Sequence, residues 1–174
     1  MPEATFPRTG FSPVLSLIAA QLASALSYAS QRVIVTAMDF DDCPHLLGET
    51  DVLLRPGKES ALPAREGGGR AVNLRDRELK VAVRTRYHAD IASGDVEHYT
   101  RASLGHFALE DAVTDALESF CAHDSDSDLL ALPLLVGDWS EARRGGQGQQ
   151  KEKSGWLMSW APVRVRYLRD LAQP

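Results

Sequence analysis

The stretch Glu78–His88, ELKVAVRTRYH, decides the fold class of this chain. Leu79, Val81, Val83, Thr85 and Tyr87 alternate with Glu78, Lys80, Arg84, Arg86 and His88, and Ala82 alone breaks the pattern. A period of two sends successive side chains to opposite faces of a strand. The stretch therefore predicts a sheet with one face on a core and the other toward water or a partner, the habit of antiparallel sheets.

Upstream, Ser12-Pro13 is a helix start, and Leu15, Ile18, Leu22 and Leu26 repeat at helical spacing through Val14–Tyr28. Short β-branched Arg32–Met38 predicts a strand, Asp39–Gly48 a turn, and Asp51–Arg55 a second strand stopped by Pro56-Gly57. Residues 58–70, with Gly67-Gly68-Gly69, predict a long loop.

Downstream, Tyr99–Phe120 predicts a second helix that buries Leu104, Phe107, Ala108, Val113, Leu117 and Phe120 and exposes Glu110, Asp111, Asp115 and Glu118. Leu129–Val136, interrupted by Pro133, predicts an edge strand. A second loop is expected over 143–154, followed by strands at Trp156–Trp160 and Pro162–Leu168. No strand–helix–strand repeat occurs, which disfavours a doubly wound parallel sheet. The expected fold is α+β: a mostly antiparallel sheet with two helices packed on one face and long projecting loops. A flexible arm over 1–12 and a single domain over 13–174 are expected.

At 174 residues, 44% hydrophobic and 25% charged, the chain has the composition of a globular protein. Its net charge of −5 argues against a broadly basic nucleic-acid-coating protein. The charge is unevenly placed. Residues 102–142 hold nine carboxylates and no Lys or Arg, whereas residues 143–174 hold seven basic groups against two acidic ones. Cys43 and Cys121 are too few for a disulfide scaffold, so reduced thiols in a cytosolic setting are expected. The apolar run Val14–Leu26 is too short and too polar for a membrane span and lacks the charged leader of a signal peptide.

Candidate chemistry is sparse. Asp39, Asp41, Asp42, Cys43 and His45 lie within seven residues and combine ligand types, but in no recognised metal spacing, and turns have the same composition. Asp124, Asp126 and Asp128 open like a calcium loop, yet Leu129 and Leu135 stand where its glycine and closing glutamate belong. His106 has no nucleophile elbow beside it and is expected to be a packed or capping histidine. Neither Gly67–Gly69 nor Gly145-Gly146 has the ending of a phosphate loop. No catalysis, cofactor or metal is expected. A small metal-dependent hydrolase using Asp39, Asp41, Asp42 and His45 is the alternative.

The charge pattern points instead to interaction. The acidic helix face (Glu110, Asp111, Asp115, Glu118) must find its cations elsewhere, and Arg84, Arg86, Arg164 and Arg166 on strands are candidates. If the two sets lie on opposite sides of a subunit, each meets its complement on another copy. Pairing within one subunit, or solvation, is the other outcome.

The order of elements, with Thr100–Val113 (TRASLGHFALEDAV) and the final alternating strand Pro162–Leu168, resembles the tail-terminator proteins of long-tailed bacteriophages and related phage-like particles. Within it, LGHFALEDAV resembles the second helix of such neck and tail proteins, and the resemblance spans roughly residues 12–170. It implies a non-catalytic virion protein that forms a homo-oligomeric, hexameric ring on the tail tube, ends tube growth and meets the neck. A head-completion or neck adaptor, or a tail tube subunit, is implied as the nearest alternative. The resemblance further implies that the loops Ala64–Arg70 and Gly145–Lys153 order on docking. It places the arginines toward a neighbouring subunit or toward a lumen through which DNA passes without sequence-specific contact.

Overall fold

A computed structural model describes residues 11–27, 32–43, 49–61, 73–88, 105–120, 122–123, 129–131, 134–145 and 154–169. Helix α1 (Phe11–Ala25) is followed by β1 (Val33–Val35), a short 3-10 helix (Phe40–Asp42), β2 (Thr50–Ala61) and β3 (Asn73–His88). Helix α2 (His106–Glu118) and the short strands β4 (Ala122–His123), β5 (Leu129–Ala131), β6 (Leu135–Val136) and β7 (Arg143–Gly145) precede the long β8 (Ser154–Arg169). The fold is α+β. One sheet runs in the order β1-β2-β3-β8-β5-β4, with β6 and β7 also on β8. The β1–β2 pair is parallel and every other pair antiparallel.

The β3–β8 ladder is the spine of the molecule, unbroken in register from Asn73↔Arg169 to His88↔Ser154. The two strands expected after residue 154 are therefore one. Proline does not interrupt β8 because Pro162 accepts a hydrogen bond from Gly137 N–H at 2.8 Å on the outer edge. The polar groups of a strand residue point the same way, so its missing N–H also faces outward and the ladder to β3 loses nothing. Pro56-Gly57 likewise fails to stop β2, which passes through a register shift between Pro56 and Glu59. That bulge flips the facing of the residues beyond it. Leu53 opposes Ala82, whereas Ser60 opposes Asp76, so odd residues share a face before the bulge and even residues after it. Lys58–Ala61 thus belong to a strand rather than to a loop, as do Arg143–Gly145 and Ser154, and the remainder of both expected loops lies outside the described residues.

Both helices pack on one face. Val14, Ile18 and Leu22 of α1 and Leu109, Val113, Ala116 and Leu117 of α2 join Val52, Leu54, Leu79, Val81, Val83, Val163, Val165 and Tyr167 in the main core. Phe11 extends this core, its ring 5.5 Å from that of Tyr167. The Tyr167 hydroxyl donates to Glu59, and burial together with that carboxylate pushes the phenol up to about 12.

The opposite face is not open along its whole length. Phe40, Cys43, Leu53, Ala82 and Met158 form a second small core there, flanked by Ile34 and Trp160. The segment read as a turn, Asp39–Cys43, is its lid. Ala82, which breaks the alternation of β3, is the small residue that this lid packs on.

Candidate functional site

The second core corrects the first expectation about site residues. Arg84 was expected on the exposed face of β3 and is 0% exposed. Its Nε and Nη2 donate to Asp51 at 2.8 and 2.6 Å, its Nη1 donates to the Cys43 carbonyl at 3.2 Å, and its guanidinium lies 4.9 Å from the Trp156 ring centroid. Burial raises the Asp51 pKa above the ordinary carboxylate value, and the hydrogen bonds and charge of Arg84 offset part of that rise. Arg84 is therefore an internal anchor that ties the lid to the sheet. A solvent face was expected because strand period reports which residues share a face, not what covers it.

Glu110 is the second correction. It was assigned to the exposed acidic stripe and is buried. Ser159 donates to its carboxylate, His106 Nε2 lies 2.9 Å from Ser159 Oγ, and Thr85 Oγ1 lies 3.0 Å from His106 Nδ1. These four groups stitch the first turn of α2 to β3 and β8. His106 is thus the packed histidine that the sequence suggests. The stripe that α2 buries is His106, Leu109, Glu110, Val113, Ala116 and Leu117. Phe107, expected inside, is 48% exposed, since at about 100° per residue it lies about 120° around the helix from Val113.

Asp111, Asp115 and Glu118 are exposed, as expected. With Phe107 they fall within an arc of about 80° on the side of α2 away from the core. Asp115 and Glu118 occupy the last turn, which contains no basic residue. The helix dipole disfavours carboxylates there. The stripe thus costs the isolated helix stability, and an external cation would recover it.

On the opposite face, past the second core, β2, β3 and β8 carry charge. Arg166 is bound to Asp76, with Nε–Oδ1 at 2.9 Å and Nη2–Oδ2 at 3.2 Å. Lys80 stands over the Trp160 ring at 5.0 Å, with its ammonium 4.0 Å from Glu78. Lys58, Arg86 and Arg164 are exposed and make no ion pair with another described residue. Lys58 and Arg164 flank a cleft of about 550 Å³, with Ser60, Pro162, Gly137 and Leu135 also in its wall. Leu135 is 66% exposed. Sequence reasoning missed Lys58, placed in a loop, and Leu135, placed on an edge strand with no site role. The bulge that aims Lys58 depends on pairing that a single strand does not encode.

The described residues of the acidic turn do not gather a metal site. Asp39 pairs with Arg55, Asp41 with Arg143 at 2.7 Å, and the Cys43 side chain is buried. Among the described residues no group of three or more His, Cys, Asp or Glu could hold a metal ion, and His45, Cys121, Asp124, Asp126 and Asp128 lie outside them. No helix among the described residues is long and apolar enough to cross a membrane.

No family model and no curated protein matches the chain. Among solved structures it is similar to a chain described as "Virion of native gene transfer agent (GTA) particle", with a TM-score of 0.42 and 18% sequence identity over 87% of this chain and 92% of that one. A likeness of that size leaves the assignment of a role to the residues of the chain itself.

Proposed function

We propose that this chain is a structural, non-catalytic component of a phage-like virion, a tail terminator that assembles with copies of itself into a ring at the head-proximal end of the tail tube. The ring ends tube growth and joins the tube to the neck. The resemblance of its element order and of LGHFALEDAV to tail terminators supports the reading, and implies six subunits and a lumen open to DNA. One structural observation carries it further: the acidic stripe of α2 and the cations Lys58 and Arg164, which make no ion pair with another described residue, lie on opposite faces of one sheet. They cannot meet within a subunit, so each is satisfied by the complement on another copy. Contacts of this head-to-tail kind generate rings when the rotation closes.

Native mass spectrometry at low and high ionic strength, with negative-stain images, tests this. One closed oligomer that dissociates as salt rises, and annular particles with a lumen, are the expected result, either from the chain alone or on tail tubes. A chain that stays monomeric at every concentration and leaves tubes uncapped overturns the proposal.

A further inference from the structure

We infer that the cleft between Lys58 and Arg164 is the socket for the exposed stripe of α2 from a second copy of this chain, with Phe107 as the apolar anchor. The inference rests on the self-assembly reading above and names the two surfaces that meet. Four features of the molecule point to this occupant.

The charges match. The stripe offers Asp111, Asp115 and Glu118, and the cleft offers the ammonium of Lys58 and the guanidinium of Arg164. The cleft also holds acidic groups, but Asp76 is committed to Arg166, and Glu78 has Lys80 within 4.0 Å. Of its cations, Arg77 pairs with Glu59, while Lys58 and Arg164 make no ion pair with another described residue.

The apolar parts match as well. Phe107 sits at the N-terminal end of the stripe, four residues before Asp111, and is half exposed. Leu135, the most exposed large hydrophobic side chain among the described residues, stands on the wall of the cleft beside exposed Pro162. An aromatic anchor in an apolar recess, ringed by charge pairs, is the usual centre of a strong interface.

Shape is the third feature. The stripe is a convex helical ridge, and the cleft is a concavity floored by β-strands whose backbone is already paired. No rearrangement of the sheet is required. The fourth is direction: the ridge projects from the helix face and the cleft opens on the other, so the ridge of one copy can meet the cleft of the next. The same contact repeats from copy to copy.

A photo-crosslinking amino acid placed at Phe107 in the full chain tests the pairing. The expected crosslink joins position 107 of one copy to the segments 135–137 or 162–164 of another. Phe107→Ser and the pair Lys58→Glu/Arg164→Glu should each weaken assembly by at least about tenfold, the loss of one hot spot. Circular dichroism should show each variant folded, because Lys58 and Arg164 are exposed and Phe107 is half exposed. Assembly that persists in both variants, or crosslinks confined to other segments, overturns this inference and leaves self-assembly standing. Loss of binding to duplex DNA in Lys58→Glu/Arg164→Glu, with assembly intact, reassigns the cleft to nucleic acid and also overturns it. A chain that associates neither by itself nor on tail tubes overturns both.

Discussion

A guanidinium without access to water must find its counter-charge and its hydrogen bonds inside the protein, and Arg84 finds three acceptors there. The two members of its ion pair differ in how they respond to loss of the other. Burial already raises the Asp51 pKa, so Asp51 can take up a proton when its partner is removed. Arginine cannot shed one. Asp51→Ala, which strands a buried cation, should therefore cost about 3–5 kcal/mol, the usual penalty for an uncompensated buried charge. Arg84→Met, which fills similar volume, should cost clearly less. Urea unfolding of both variants checks the order, and equal losses would refute the argument. Reversal of Arg84 to Glu would place a carboxylate against Asp51 and unfold the lid, so such a variant reports on the core and not on an interface. At this scale the sequence was a partial guide. The alternation of β3 correctly put Arg84 and Lys80 on one face, but the lid covers Arg84 and leaves Lys80 half-exposed. The one legible hint was an aspartate, Asp51, opening the otherwise apolar run Val52–Leu54.

Among the elements, the helix–strand alternation was legible wherever a period repeated for two turns or more, as in α1, α2 and β3. It failed where a proline was read as the boundary of a strand, the end of one at Pro56 and the start of another at Pro162. Pro56 and Pro162 both lie inside long strands, and each is tolerated through the way its neighbours pair: a bulge in one case, an outward-facing nitrogen in the other. Short β6 shows the same dependence. Gly137 follows it and approaches β8 so closely that a Cβ at 137 would lie 2.8 Å from Pro162 Cγ and 3.1 Å from its carbonyl oxygen. Gly137→Ala should push this segment off β8 and lower stability by about 1–3 kcal/mol, the range for an overpacked site. A denaturant midpoint unchanged from the native chain would show that the segment yields without cost. Trp139 makes such yielding harder, since its indole Nε1 donates to Thr114 Oγ1 on α2 at 3.0 Å and holds the segment to the helix.

At the scale of the whole molecule, the decisive quantity is the direction of the two charged surfaces, which the net charge of −5 conceals. A sequence shows that acidic and basic blocks exist; only the sheet shows that the ridge and the cleft face apart. That geometry separates two modes of association. In a two-fold contact each partner uses both surfaces at once, whereas in a head-to-tail contact each copy uses its ridge on one neighbour and its cleft on the other. Two defective variants distinguish them. Asp111→Lys/Asp115→Lys keeps the cleft and loses the ridge, and Lys58→Glu/Arg164→Glu does the reverse. In the head-to-tail mode neither variant associates with itself, because every contact needs one intact surface of each kind. Mixed in equal amounts, the second inserts its native ridge into the native cleft of the first. The other two surfaces are then both charge-reversed, with lysines on a ridge and glutamates in a cleft, at the two ends of the pair. Those ends are again complementary, so chains longer than two should regrow in the mixture. Truncating instead of reversing the charges, with Asp111→Ala/Asp115→Ala and Lys58→Ala/Arg164→Ala, removes that second complement. The mixture should then stop at a one-to-one dimer. Sedimentation of the two mixtures gives the answer: larger oligomers with reversed charges and a capped dimer with truncated ones establish head-to-tail assembly, and a capped dimer in both mixtures would rule it out.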